Sequence, residues 1–317
     1  MIKDLHILPK VRDSWSYLYA EHCKIDQDDL AIALYDAQGK TPVPCAAVSV
    51  LMLGPGTSIT HAAIRTLADN GCLVFWTGEE GVRFYAQGLG ETRSAANLLR
   101  QARLQSDPAL RLLVVRNMYT VRFPQPPDAG LTLQQIRGME GIRVRETYAR
   151  LSRETGVKWT GRVYSRGDWG AADPVNRALS TANSCLYGIV HAAIVAAGYS
   201  PGLGFVHTGK MLSFVYDVAD LYKADLTIPA AFHAVAGGAQ EVEGRVRKAL
   251  RDEFHQQRLL ARIVEDLDKV LTVPGGGGAA DAGGDYDSEL AQPSGLWDPA
   301  DGTVPGGRNY ADGEEPD

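Results

Sequence analysis

The hydrophobic pattern of this 317-residue chain changes period once, and that change limits the folds open to it. Up to about Ala86 the apolar residues come in short, strand-like runs, WSYLYAEH, LAIALYD, TPVPCAAVSVLML, CLVFWTG and VRFYA, with turn residues at 36–39 and 79–81. One helical stretch, THAAIRTLADNG, interrupts them and closes on Gly71. From residue 95 to residue 271 the spacing is helical instead. The expected architecture is a multidomain α+β chain. A small β-rich N-terminal domain spans residues 1–87, a linker 88–94, a larger all-α domain 95–271, and a disordered acidic tail 272–317. The tail assignment rests on sixteen Gly or Pro residues in forty-six, above the roughly 25–30% at which disorder is favoured. The G-x-G of the linker GLGETRS is too short and too isolated to be a dinucleotide fingerprint.

Within the helical region, Asp107 and Pro108 read as an N-cap and first-turn residue, and Asp173 and Pro174 as a second such pair. A helix from Leu133 to about Thr155, stopped by Gly156, places Ile136, Glu140, Val144, Thr147 and Leu151 on one stripe, so Glu140 faces inward or into a cleft. Arg137 or Arg143 could pair with it. Gly138 and Gly141 each cost that helix roughly 1 kcal/mol relative to alanine, which predicts a close approach to the backbone by another helix or by a ligand. The stretch VNRALSTANSCLYGIVHAAIVAAGY is apolar or small nearly all round and reads as the buried central helix, with His191 as a core histidine. Three amphipathic helices follow, the middle one with a basic face of Arg245, Arg247, Lys248 and Arg251.

Composition narrows the chemistry. At 45% hydrophobic and 22% charged the chain is of ordinary globular type, and its charged start and lack of eighteen consecutive apolar residues lead us to expect a cytoplasmic protein without a membrane span. Cys23, Cys45, Cys72 and Cys185 lack C-x-x-C spacing, which argues against a zinc knuckle or a disulfide framework and for buried thiols. The net charge of −6 hides an asymmetry, because residues 272–317 hold ten acids against Arg308 alone, leaving +3 for residues 1–271. Residues 83–177 carry sixteen Lys and Arg, fifteen of them Arg, against eight acids. Arginine in that density suits a polyanion, and a solvated helical surface is the plainer alternative. The loop GRVYSRGDWG interleaves Tyr164 and Trp169 with Arg162 and Arg166, a pattern suited to stacking on bases beside phosphate or to anchoring on the core.

The densest chemistry lies at residues 202–223, GLGFVHTGKMLSFVYDVADLYK. Its second half has a helical apolar stripe that sets Asp217 and Asp220 three apart, with Cβ atoms roughly 5–6 Å from each other. Two carboxylates so placed repel unless a proton or cation lies between them, and His207 offers an imidazole nearby. With Glu140 this makes a candidate site for Mg²⁺ or Mn²⁺, the nitrogen favouring Mn²⁺. His207 could be a ligand, a general base or a structural residue. GFVHTGKM matches G-x-x-x-x-G-K, but methionine replaces the magnesium-binding hydroxyl and no strand precedes it, so we set aside a phosphate loop.

At these residues the chain resembles the CRISPR-associated integrase of the spacer-acquisition machinery in its type I-E form. The likeness covers residues 1–270 and is carried by LGPGTSITHAAIR, GVRFYA, RGMEGIRVRETYA, SCLYG, AAGYSPGLGFVHTGK and LSFVYDVADLYK. The resemblance implies a β-rich domain joined to a helical catalytic domain, and a metal-dependent DNA integrase with endonuclease side activity. It implies homodimers, two of which flank a dimer of a small ferredoxin-like adaptor, acting on double-stranded DNA fragments and CRISPR repeat DNA. It makes Glu140, His207 and Asp220 the metal ligands and Asp217 an accessory catalytic acid. Arg137, Tyr164, Lys210 and Tyr216 match positions around the flanking motif of incoming DNA. Arg65, Arg83, Trp169, Tyr187 and Lys223 match the DNA path or active site. His22 stands where the type I-E pattern has a duplex-capping tyrosine, Ser58 where it has an arginine, and the tail differs. Two other readings are a stand-alone metal-dependent nuclease and a non-catalytic DNA-binding scaffold in which Glu140 and the aspartates form structural pairs.

Overall fold

The computed structural model describes residues 17–29, 31–45, 48, 50–78, 84–88, 95–128, 130–162, 173–238, 240–276, 296–298 and 302–304. The strands of the first part are β1 (Tyr17–Ala20), β2 (Lys24–Asp28), β3 (Ala31–Asp36), β4 (Gly39–Val43), β5 (Val50–Leu53), β6 (Ser58–Ile59), β7 (Leu73–Thr77) and β8 (Phe84–Gly88), with α1 (His61–Asp69) before β7. They form two four-stranded sheets, β1-β5-β7-β8 and β4-β3-β2-β6. In the first, β1, β5 and β7 are parallel and β8 is antiparallel at the edge. A parallel return needs a crossover, which α1 supplies between β5 and β7. The second sheet is a meander closed by β6 running parallel to β2. The turn at 36–39 is fixed by Asp36 Oδ1, which accepts from the backbone N–H of Gln38 and Gly39. The sequence patterns omitted β2, whose KIDQD reads as polar, and the two-residue β6.

Beyond the strands come α2 (Ala96–Ser106), α3 (Pro108–Thr120), α4 (Leu133–Thr155), α5 (Pro174–Ala196), α6 (Ser213–Ala219), a π-helical turn (Lys223–Thr227), α7 (Ile228–Ala236), α8 (Val242–Gln256) and α9 (Leu259–Leu271). The starts follow the capping chemistry. Asp107 accepts from Ala109 and Leu110, Asp173 from Asn176, and Thr132 with Gln135 forms a capping box. Helix α4 ends on Gly156 at φ 71°, a conformation glycine adopts without strain.

Helix α5 is the axis of the helical part, with seventeen of its residues buried. It is long and apolar enough to cross a bilayer, but 78% of its apolar window is buried inside the protein, as a core helix requires. Val50, Met52, Leu73 and Phe75 of the first sheet belong to the same buried cluster as the helices, while Ile25, Ile32, Leu51 and Leu67 build a second cluster around α1. At the join, His191 of α5 lies 3.9 Å from the Phe84 ring of β8, and burial pushes its imidazole down to about 4. All four cysteines are buried. Residues 283–317 are a separate compact unit, in which β9 (Leu296–Asp298) and β10 (Gly302–Val304) pair antiparallel, a regular element that the composition of the tail did not predict.

Candidate functional site

Two local constructions hold the candidate residues. The first is the loop between α5 and α6. Gln101 of α2 donates to the carbonyls of Ser200 and Leu203 and accepts from Ser200 N–H, and Arg111 of α3 donates to the Phe205 carbonyl at 2.9 and 2.7 Å. Asp217, fully buried on α6, closes the loop from the other side. Its Oδ2 accepts from Phe205 N (2.6 Å) and Val206 N (3.0 Å), and its Oδ1 from His207 N (2.8 Å) and His207 Nδ1 (2.7 Å). The backbone amides that a phosphate loop would turn to a ligand are thus spent on an internal carboxylate. Gly204 permits this turn, because a Cβ there would lie 2.3 Å from the His207 carbonyl oxygen and 2.7 Å from Ser213 Cβ.

Because Asp217 can only accept, Nδ1 of His207 carries the hydrogen and Nε2 is the ring nitrogen left to meet a ligand. The His207 side chain is 45% exposed. Around it stand Tyr216, with ring centroid at 6.0 Å, and Lys210, whose Nζ lies 5.8 Å from the Tyr216 ring. Tyr187 packs edge-on against Tyr216 at 5.1 Å and carries Lys223 Nζ 5.0 Å from its own ring. Lys223 in turn meets Asp220 Oδ1 at 2.6 Å. Burial pulls the Lys223 ammonium down, but the charge of Asp220 and the contact with Tyr187 more than reverse this and hold it above its ordinary value.

The second construction is on α4. Glu140 is buried at 7% exposure, on the stripe with buried Ile136 and Leu151 that the spacing predicted. Its partner is Arg143, not Arg137. Nε and Nη2 of Arg143 meet the two carboxylate oxygens at 2.8 and 3.0 Å, a bidentate fork that holds the guanidinium above its ordinary value. Arg122, at the end of α3, brings Nη1 to 3.6 Å from Glu140 Oε1, is itself buried, and stacks on Tyr119. Arg137 is exposed on the outer face.

Three expectations need correction. Asp217 and Asp220 do not share a cation, since Asp217 turns into the loop and Asp220, at the C-cap of α6, turns to Lys223. Nothing in the described structure lies within 4 Å of a Cβ built on Gly138 or Gly141, which sit on the exposed face of α4, so of the two neighbours expected there it is the packed helix that the fold does not supply. Arg162 serves the fold, donating to Asn176 and Ser180 of α5. Among the described residues no three His, Cys, Asp or Glu side chains stand together as a set that could hold a metal ion. Glu140 is paired with Arg143 and Arg122, and Asp220 with Lys223. The donor types themselves, two carboxylates and an imidazole braced by a third carboxylate, are those of a divalent-metal centre.

Of the residues matched to DNA contacts, Arg65 is exposed on α1 with Asp69 at 3.7 Å. His22 is exposed in a left-handed conformation at φ 51°, packed over Gly56. Arg83, Tyr164 and Trp169 lie outside the described residues. Gln101, Arg111, Arg122 and Asp225, which shape the site, carried no signal in the sequence pattern.

A family model described as CRISPR associated protein Cas1 matches residues 126–251. The chain is 56% identical over 314 residues to the CRISPR-associated endonuclease Cas1 2 of Thermus thermophilus, across 99% of this chain and 95% of that one. It is 45% identical over 262 residues to the CRISPR-associated endonuclease Cas1 of Escherichia coli, across 82% and 86%. The solved TtCas1–DNA complex matches with a TM-score of 0.75 at 60% identity, covering 83% of this chain and 99% of that one. Identity of this extent, carried over the strands as well as the helices, makes the chain a member of the CRISPR-associated endonuclease Cas1 family.

Proposed function

We propose that the chain is the integrase of CRISPR adaptation in its type I-E form, joining the 3′-hydroxyl ends of captured DNA fragments to CRISPR repeat DNA with a divalent ion, Mg²⁺ or Mn²⁺. Glu140, His207 through Nε2, and Asp220 would hold the ion. When bound, it supplies Lewis-acid polarisation of the scissile phosphodiester. The observation that carries this reading is the Asp217–His207 pair, because a buried carboxylate with four donors fixes the imidazole in one tautomer with Nε2 outward. Asp217 is therefore a positioning residue in this account; its oxygens are engaged, and it does not meet substrate as an accessory acid. Lys210, Arg137 and Arg65, exposed on three elements, suit contacts to DNA phosphates. In the reaction the 3′-hydroxyl oxygen attacks phosphorus as the bond to the repeat's own 3′ oxygen breaks, so no nucleotide cofactor is needed. DNA endonuclease activity follows when water attacks instead. The working assembly is a homodimer joined to its fellow by a dimer of the ferredoxin-like adaptor, acting in the cytoplasm.

The Glu140–Arg143 and Asp220–Lys223 pairs favour one rival, a scaffold that binds DNA without chemistry. Strand transfer into a repeat-bearing plasmid separates the two. With adaptor present, Asp220→Ala and added EDTA should each abolish joining while duplex binding persists. If joining survives both treatments, the metal mechanism is wrong.

A further inference from the structure

The arginine that forks onto Glu140 has a second acidic neighbour. Arg143 forks onto Glu140 through Nε and Nη2, while its third nitrogen, Nη1, lies 3.9 Å from Asp225 Oδ1, too long for a hydrogen bond and close enough to become one by a small rotation. Asp225 is 66% exposed, and the groove beside it, about 640 Å³ and lined by Arg122, Met139, Ile142, Arg143 and Glu146, leaves the guanidinium room to turn. Asp225 stands on the π-helical turn Lys223–Thr227, two residues after the lysine that holds Asp220. A π turn is rare and frequent at functional sites, and here it sets Lys223 against Asp220 and Asp225 near Arg143. Arg122 is already buried against Glu140, so a cation arriving at Glu140 meets two positive charges unless one leaves.

We propose that Arg143 is a built-in counterion that holds Glu140 while no metal is bound, and that Asp225 receives Arg143 when a divalent cation takes its place. The relay rests on the metal reading above, and it assigns positioning roles to Arg143 and Asp225. Metal affinity then includes the free energy of moving one guanidinium from Glu140 to Asp225. Removing Arg143 tightens binding, and removing Asp225 weakens it only while Arg143 is there to be moved.

Mn²⁺ titration of the purified full-length protein, with free Mn²⁺ read by its electron paramagnetic resonance signal, tests this without any turnover. Glu140→Gln should weaken binding, Arg143→Gln should tighten it roughly tenfold, and Asp225→Asn should weaken it roughly fivefold, the range of an ordinary coupling between neighbouring charges. Combined with Arg143→Gln, Asp225→Asn should have no effect. A simple loss of negative charge near the metal would instead weaken binding equally in both backgrounds, and that result overturns the relay. So does an unchanged or weaker affinity in Arg143→Gln while Glu140→Gln still weakens binding, an outcome that leaves the metal reading standing. If Glu140→Gln binds Mn²⁺ as the parent does, the metal reading itself falls. Asp225 is exposed, so the Asp225→Asn arm does not depend on how Arg143→Gln folds.

Discussion

The two local constructions that hold the candidate residues are built by different means. The His207 half is set by backbone: Asp217, buried and offered four donors, fixes three successive amides and the imidazole together. The Glu140 half is set by side chains, Arg143 and Arg122, on an otherwise ordinary amphipathic helix. A geometry held by backbone amides does not change without unfolding the loop, whereas one held by guanidinium groups can exchange partners. On the proposed metal reading, the site would pair a preformed ligand, His207, with one that can exchange partners, Glu140.

Substitution at the carboxylates gives the largest contrast. Asp217→Ala leaves the amides of Phe205, Val206 and His207 without an acceptor and should cost about 3–5 kcal/mol in urea unfolding. Glu140→Gln frees Arg143, which has Asp225 at 3.9 Å, and should cost about 1–2 kcal/mol. Equal costs would erase the distinction between the halves.

Acid acts on the buried core of α5 through His191. His191 titrates at about 4 in the folded chain because burial disfavours its charge, against 6.5 in the unfolded one. The unfolded state therefore takes up the proton first. This contribution to stability is fully present above pH 6.5 and is lost as the pH falls towards 4, a change on the order of 3 kcal/mol. Unfolding free energies measured across that window should fall less steeply in His191→Leu than in the parent. A parallel pair of profiles would remove His191 from the account.

The glycines give the smallest and most local comparison. Gly204→Ala forces a methyl against His207 O and Ser213, and should cost about 1–3 kcal/mol and shift the His207 ring resonances. Gly138→Ala meets nothing within 4 Å among the described residues and should stabilise α4 by about 0.5–1 kcal/mol, read as a rise in Tm. A stabilising Gly204→Ala would mean the loop is not the tight turn described.

Much of the helical part was legible because capping is local chemistry. Asp107 with Pro108, Asp173 with Pro174, and Gly156 each act within one turn of themselves, and the 3.6-residue stripe was enough to turn Glu140 inward. What escaped was non-local or lacked a period. Strand β6 is two residues long and is defined by its partner β2; the π turn at Lys223–Thr227 leaves no mark on the apolar spacing. The reading of Asp217 failed for the same reason. Helical spacing placed it near Asp220, but its partners are amides ten to twelve residues earlier, brought round by a loop that Gln101 and Arg111 hold from other helices.

The most direct test of the metal reading is pulsed electron paramagnetic resonance on the protein loaded with Mn²⁺. The account predicts one directly coordinated imidazole nitrogen, lost in His207→Gln. A spectrum without bound nitrogen, or one that His207→Gln leaves unchanged, would contradict it.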